Sequence, residues 1–158
     1  MTAILRKLNH TFIFFMLLFS VVSTIFSATW SVDPYHEGAL FPTAVGAAQG
    51  LRIFVDVNQQ YGFLSPLIQA PFLSLFGNFL IVARLIGVIV TFINAWLFYY
   101  LLRTTVSKSV SLLLVTTTLA ISGHWSWIPP NKLYGGITWP NSYAMCLQLI
   151  TLVLLYKY

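Results

Sequence analysis

Residues 79–102 read FLIVARLIGVIVTFINAWLFYYLL, a run in which Arg84 is the single charge and Thr91 and Asn94 are the main polar interruptions. A helix crossing about 30 Å of hydrocarbon needs roughly 20 mostly apolar residues, and this run supplies them. Further uncharged stretches lie on either side. One covers 11–29 (FIFFMLLFSVVSTIFSA at its centre), another 109–128, and a fourth 142–157, where the uncharged part ends at Tyr156. The 109–128 stretch is the more polar, with Thr116, Thr117, Thr118 and Ser122, and the last is short for a span. The expectation is an all-α polytopic membrane protein with about four transmembrane helices, a 1–10 cytoplasmic tail, and a long first outer loop at 30–78.

Composition points the same way. The chain of 158 residues is 58% hydrophobic and 7% charged, with a mean hydropathy of +0.83, values unsuited to a water-soluble domain of this size. The formal net charge is +5, but Arg6, Lys7, Arg52, Arg84, Arg103, Lys108, Lys132 and Lys157 are scattered singly or in pairs. Such scatter argues against a nucleic-acid surface, which masses its cations on one face. The single cysteine, Cys146, excludes an intramolecular disulfide. A cleaved signal peptide at the N-terminus is disfavoured, because cleavage after Ala28 would put Phe26 where a small residue is needed.

Placing the N-terminus in the cytoplasm puts Arg6, Lys7, Arg103, Lys108 and Lys157 inside, against Arg52 and Lys132 outside, in the sense of the positive-inside tendency. Trp30, Trp125, Trp127 and Trp139 then share the outer interface, where amphipathic rings settle. The expected location is an integral membrane, the plasma (inner) membrane if the source is bacterial.

All three acidic residues, Asp33, Glu37 and Asp56, fall in the 30–78 loop. Asp33-Pro34 is a helix start, with the carboxylate as cap and proline in the first turn, and Gly50 is the stop. The predicted helix is short and lies along the membrane surface. After it, LRIFVDVN (51–58) reads as extended and Tyr61-Gly62 as a turn. Ser65-Pro66 opens a second short apolar helix, with Pro71 as a kink and Gly77 as its end. In the first helix Asp33 and Glu37 stand four residues apart on one face, a like-charge pair that calls for a neutralising cation or a shared proton. His36 stands beside them. The bland alternative is that Asp33 only caps the helix and Glu37 only favours its N-terminus.

The order of these features resembles the N-terminal part of the GT-C glycosyltransferases, a superfamily that includes protein O-mannosyltransferases and aminoarabinose transferases. The similarity runs over roughly residues 10–103: an apolar span, Asp33-Pro-Tyr-His-Glu37-Gly, a surface helix ending at Gly50, Asp56, Tyr61-Gly-Phe-Leu-Ser-Pro66, Leu75-Phe76-Gly77 and Arg84-Leu85. The ordering is specific and each element loose, and the Asp-to-Glu spacing departs from the adjacent acidic pairs of some members. What the resemblance implies is sugar transfer from a polyprenyl-phosphate donor to a glycan, lipid or protein acceptor on the extracytoplasmic face. It implies Asp33 as catalytic base or metal-site residue, with Glu37 as its partner. A divalent cation, Mg or Mn, is the possible cofactor.

A base within reach of the acceptor hydroxyl and a cation near the leaving phosphate are the two chemical requirements of such a transfer. Arg84 is the expected phosphate partner, with snorkelling to the interface as its alternative role, and Arg52 is a weaker candidate. His36, Asp56 and Tyr61 complete the expected substrate-binding set. Members of the superfamily have more spans than four, so the chain is expected to be an N-terminal part of a longer enzyme. The competing classes are a transporter or permease component, disfavoured by spans without an acid, and a non-catalytic membrane assembly subunit. An assembly subunit leaves the paired carboxylates without a task.

Overall fold

The computed structural model describes residues 2–27, 29, 36–59, 62–124 and 140–157. Among them the chain is helical, with elements α1 (Thr2–Ser27), α2 (His36–Ala48), α3 (Leu64–Phe76), α4 (Leu80–Leu102), α5 (Lys108–His124) and α6 (Pro140–Lys157). Helix α4 is the one helix among the described residues that is long and apolar enough to cross a membrane. The apolar segments Phe14–Ser23, Leu64–Phe76, Lys108–Leu119 and Ser142–Tyr156 are shorter.

Helix α4 is the hub of the fold and packs against α6, α5 and α3. Its buried Ile86 and Val90 meet Tyr143 of α6, with Leu64, Ile68, Val82 and Cys146 packed around them. Tyr143 is 1% exposed, and its hydroxyl accepts from the Gln69 side-chain amide of α3 at 3.0 Å. That amide also lies 3.3 Å from Ser65 Oγ. These bonds supply partners for polar groups that would otherwise be costly in an apolar core.

Helix α1 packs chiefly on α5. Small polar residues make the close approach possible: Ser20 and Ser23 on one side, Ser111 and Thr116 on the other, all buried. The Ser20 hydroxyl lies 2.7 Å from the Met16 carbonyl and 3.1 Å from the Thr116 carbonyl, and shares its proton between its own helix and the neighbour. Small side chains with interhelical hydrogen bonds are the usual adhesive between helices when surroundings are as apolar as the side chains.

Helices α2 and α3 form a hairpin ahead of α4. Ser74 Oγ donates to the Ala48 carbonyl at 3.0 Å, satisfying one of the acceptors left open at the end of α2. Gly50 (φ 86°) and Gly77 (φ 93°) both adopt the left-handed side of backbone space after their helices, as their reading as stops required. The Gly77 N–H closes α3 on the Leu73 carbonyl at 2.9 Å. Helix α3 runs through Pro71 and begins at Leu64, one residue before the expected Ser65.

The 51–58 segment departs from expectation. It is not extended: the Arg52 carbonyl accepts from the backbone N–H groups of Val55, Asp56 and Val57, and Phe54 N–H bonds the Val57 carbonyl. Ile53 and Val57 form an isolated bridge, with Phe54 at φ 70°. The segment reads as extended from its sequence, but the Asp56 carboxylate folds the chain back by accepting from Arg52, as described below. Val57 then seats against α2 at Gly46, where a Cβ would lie 2.8 Å from Val57 Cγ1. Gly46→Ala is therefore expected to destabilise the hairpin by about 1–3 kcal/mol. Val57→Ala in the same chain should restore most of it, as read by thermal unfolding in detergent.

Candidate functional site

Glu37 lies in the first turn of α2, where unsatisfied backbone N–H groups favour a carboxylate. Arg84 lies in the first turns of α4. The two side chains meet across 47 residues of sequence: Arg84 Nε donates to Glu37 Oε1 at 2.6 Å and Nη2 to Oε2 at 2.7 Å. This is a two-pronged fork, the geometry in which guanidinium and carboxylate match best. Both side chains are buried, 7% and 5% exposed. Helix α2 packs on α3 and α3 on α4, so the ion pair reaches directly from the first helix of the hairpin to the hub.

Two predicted site residues are thus brought together, in a pairing the sequence did not indicate. The cation that neutralises Glu37 is Arg84. Two donors of the guanidinium expected to grip a donor phosphate are already engaged by a carboxylate of the same chain. Both Glu37 oxygens are engaged as well, and a divalent cation placed on them would face the guanidinium. The Glu37 carboxylate therefore does not fit a metal, and no three of His, Cys, Asp and Glu converge among the described residues.

Asp56 is held elsewhere. Its Oδ2 accepts from the Arg52 backbone N–H at 2.9 Å and from Arg52 Nε at 2.9 Å, and Oδ1 accepts from Nη2 at 3.0 Å. The pair is on the surface, and it ties off both the expected substrate residue and the weaker phosphate candidate. The Arg52 side chain, then its backbone N–H, holds the Asp56 carboxyl below the usual carboxylate range. A depressed folded value means that the contribution to the turn is present above the unfolded pKa and is lost as pH falls through the folded one. The Phe54 amide, bonded to the Val57 carbonyl, should accordingly lose its protection from hydrogen exchange with a midpoint below about pH 3.9.

Asp33, Tyr61 and the side chain of His36 lie outside the described residues, as do Trp30, Trp125, Trp127, Trp139 and Lys132. A cleft of about 310 Å³ is lined by Gly38, Ala39, Pro42 and Thr43 of α2 and by Val57 and Asn58 of the turn. Thr43 Oγ1 donates to the Asn58 carbonyl across it at 2.9 Å. Next in the chain, Gln59 is buried. Its amide nitrogen donates to the Gly62 carbonyl at 2.8 Å, and its Oε1 has no partner among the described residues.

The cleft and Gln59 were not anticipated. The one sequence signal for the cleft is Gly38 and Pro42 in the same helix, since a missing side chain and a missing N–H thin out one face.

No protein-family model, curated protein or solved structure matches this chain.

Proposed function

We propose that the chain belongs to a polytopic membrane glycosyltransferase of the GT-C kind, which moves a sugar from a polyprenyl-phosphate donor to a hydroxyl acceptor outside the cytoplasm. The observation that carries this reading is the buried Glu37–Arg84 fork. It fastens the acidic motif of the first outer loop to α4, and its Glu37 sits in the first turn of the helix whose Gly38, Ala39, Pro42 and Thr43 line an open cleft. A loop that only joined two spans would have no use for a desolvated ion pair, which is costly to bury.

In this reading Asp33, four residues before the clamp, is the base. It takes the proton of the acceptor hydroxyl as that oxygen bonds to the anomeric carbon and the bond from this carbon to the donor phosphate oxygen breaks. Glu37 and Arg84 are positioning residues, a neutral pair that fixes the start of α2 against α4. The departing polyprenyl phosphate keeps the electron pair of the broken bond. The deciding experiment is sugar transfer by membranes carrying the protein, with and without Asp33→Asn. Transfer that requires the protein and the carboxylate supports the reading, whereas transfer indifferent to either leaves an assembly role.

The membrane reading is supported by the large apolar side chains left exposed along the helices. Phe12, Phe14 and Phe15 of α1 are 60%, 61% and 60% exposed, and Leu155 of α6 is 70%. In water such a surface would drive aggregation; in lipid it is the expected exterior. A topology experiment follows. With Cys146 replaced by alanine, a cysteine at the exposed Val55 should react with an impermeant thiol reagent in intact cells, and one at Thr105 should react only after lysis. The opposite pattern would invert the topology and put the acidic loop in the cytoplasm.

A further inference from the structure

A second polar feature lies well away from the Glu37–Arg84 pair. Asn94, midway along α4, is 7% exposed and donates its side-chain N–H to the Ser142 backbone carbonyl of α6 at 2.9 Å. That carbonyl can only accept, so the amide cannot be turned the other way: the nitrogen must face Ser142. Oδ1 is left buried with no hydrogen-bond partner among the described residues. An unmet acceptor in this setting costs free energy that a bound donor would recover.

Asn94 lines a partly open cavity of about 160 Å³ between α4, α5 and α6. The other side-chain hydroxyls that line it on α4 and α5 have already committed their protons. Thr91 Oγ1 donates to the Gly87 carbonyl at 3.0 Å and Thr118 Oγ1 to the Leu114 carbonyl at 2.9 Å. Neither has a proton left for a guest. The rest of the wall is Ser142 of α6 and the apolar Ala95, Phe98, Val115, Leu119 and Met145. No charged residue lines it, so a cationic donor would be desolvated without compensation.

We infer that this cavity is a binding site for a neutral hydroxyl carried on a small apolar body, an alcohol or phenol whose O–H donates to Asn94 Oδ1. A cavity near 150 Å³ is known to accept a guest of benzene size, which bounds the ligand to about a six-membered ring with its hydroxyl. Water alone fits less well, because it leaves the apolar wall of Ala95, Phe98, Val115, Leu119 and Met145 uncovered, whereas the apolar body of an alcohol covers it. The inference does not depend on glycosyl transfer, since it uses neither the acidic loop nor α2.

The test compares 4-fluorophenol with 4-fluorotoluene, which have nearly the same shape and differ in the donor. Both are titrated by fluorine NMR into the purified full chain in detergent micelles, with Ala95→Phe as the variant that fills the cavity and leaves Asn94 in place. The expected result is saturable binding of the phenol roughly tenfold tighter than the toluene, lost in Ala95→Phe, with the preference abolished in Asn94→Leu. Equal affinity for the two probes in the unmodified chain would overturn the inference, as would a phenol preference that survives in Ala95→Phe. Should Asn94→Leu fail to fold for want of its bond to Ser142, the unmodified chain and Ala95→Phe still decide the matter.

Discussion

Glu37→Leu and Arg84→Met, made singly, are each expected to destabilise the protein by about 3–5 kcal/mol, while the two combined should cost far less than the two losses added. Each single change leaves the partner's buried groups without their match, and the guanidinium or carboxylate left behind has no water to turn to. The double change removes both charges and substitutes apolar volume, so the desolvation penalty vanishes with the attraction. Arg84→Lys should fall between, because an ammonium keeps the charge but cannot span both Glu37 oxygens in a plane. Equilibrium unfolding in mixed detergent micelles reads all four. Single losses below about 1 kcal/mol would mean that the pair is solvated like a surface bridge, and strict additivity would mean that the two residues do not act on each other.

The pair also marks the boundary of what the sequence discloses. Residues with local causes were readable. Glycine ended α2 and α3 because only a left-handed residue lets the chain turn away there, and the apolar run at 79–102 became α4 because its length and apolarity leave few alternatives. Glu37 and Arg84 were each readable as unusual, one a carboxylate in an apolar chain and the other a lone charge in a span. Their partnership was not, since it joins positions 47 residues apart and depends on how the α2–α3 hairpin folds onto α4. The 51–58 turn was missed for the opposite reason. The β-branched Ile53, Val55 and Val57 favour extended backbone, and the Arg52–Asp56 bonds that override it have no periodicity to detect. Gln69 with Tyr143 and Asn94 with Ser142 belong with the ion pair: isolated polar residues in apolar helices announce a partner without saying where it is.

Asp33→Asn is expected to lower sugar transfer by about 10²–10⁴-fold, the usual contribution of a general base, with expression, insertion and unfolding unchanged. Asparagine caps a helix about as well as aspartate, so a capping role would survive the substitution and a proton-accepting role would not. The matched control is Glu37→Leu with Arg84→Met, which keeps Asp33 and removes the clamp. If the clamp positions the base, this double variant should lose some transfer, on the order of tenfold, but keep the fall in rate at acid pH that reports protonation of a catalytic carboxylate. Asp33→Asn should lose that limb altogether, leaving a low and flat profile. Transfer within twofold of normal for Asp33→Asn would remove the base assignment. If instead the acid limb persisted in Asp33→Asn and disappeared with the Glu37 double variant, the proton would have to pass to Glu37, and the Arg84 fork would be a contact that opens during turnover.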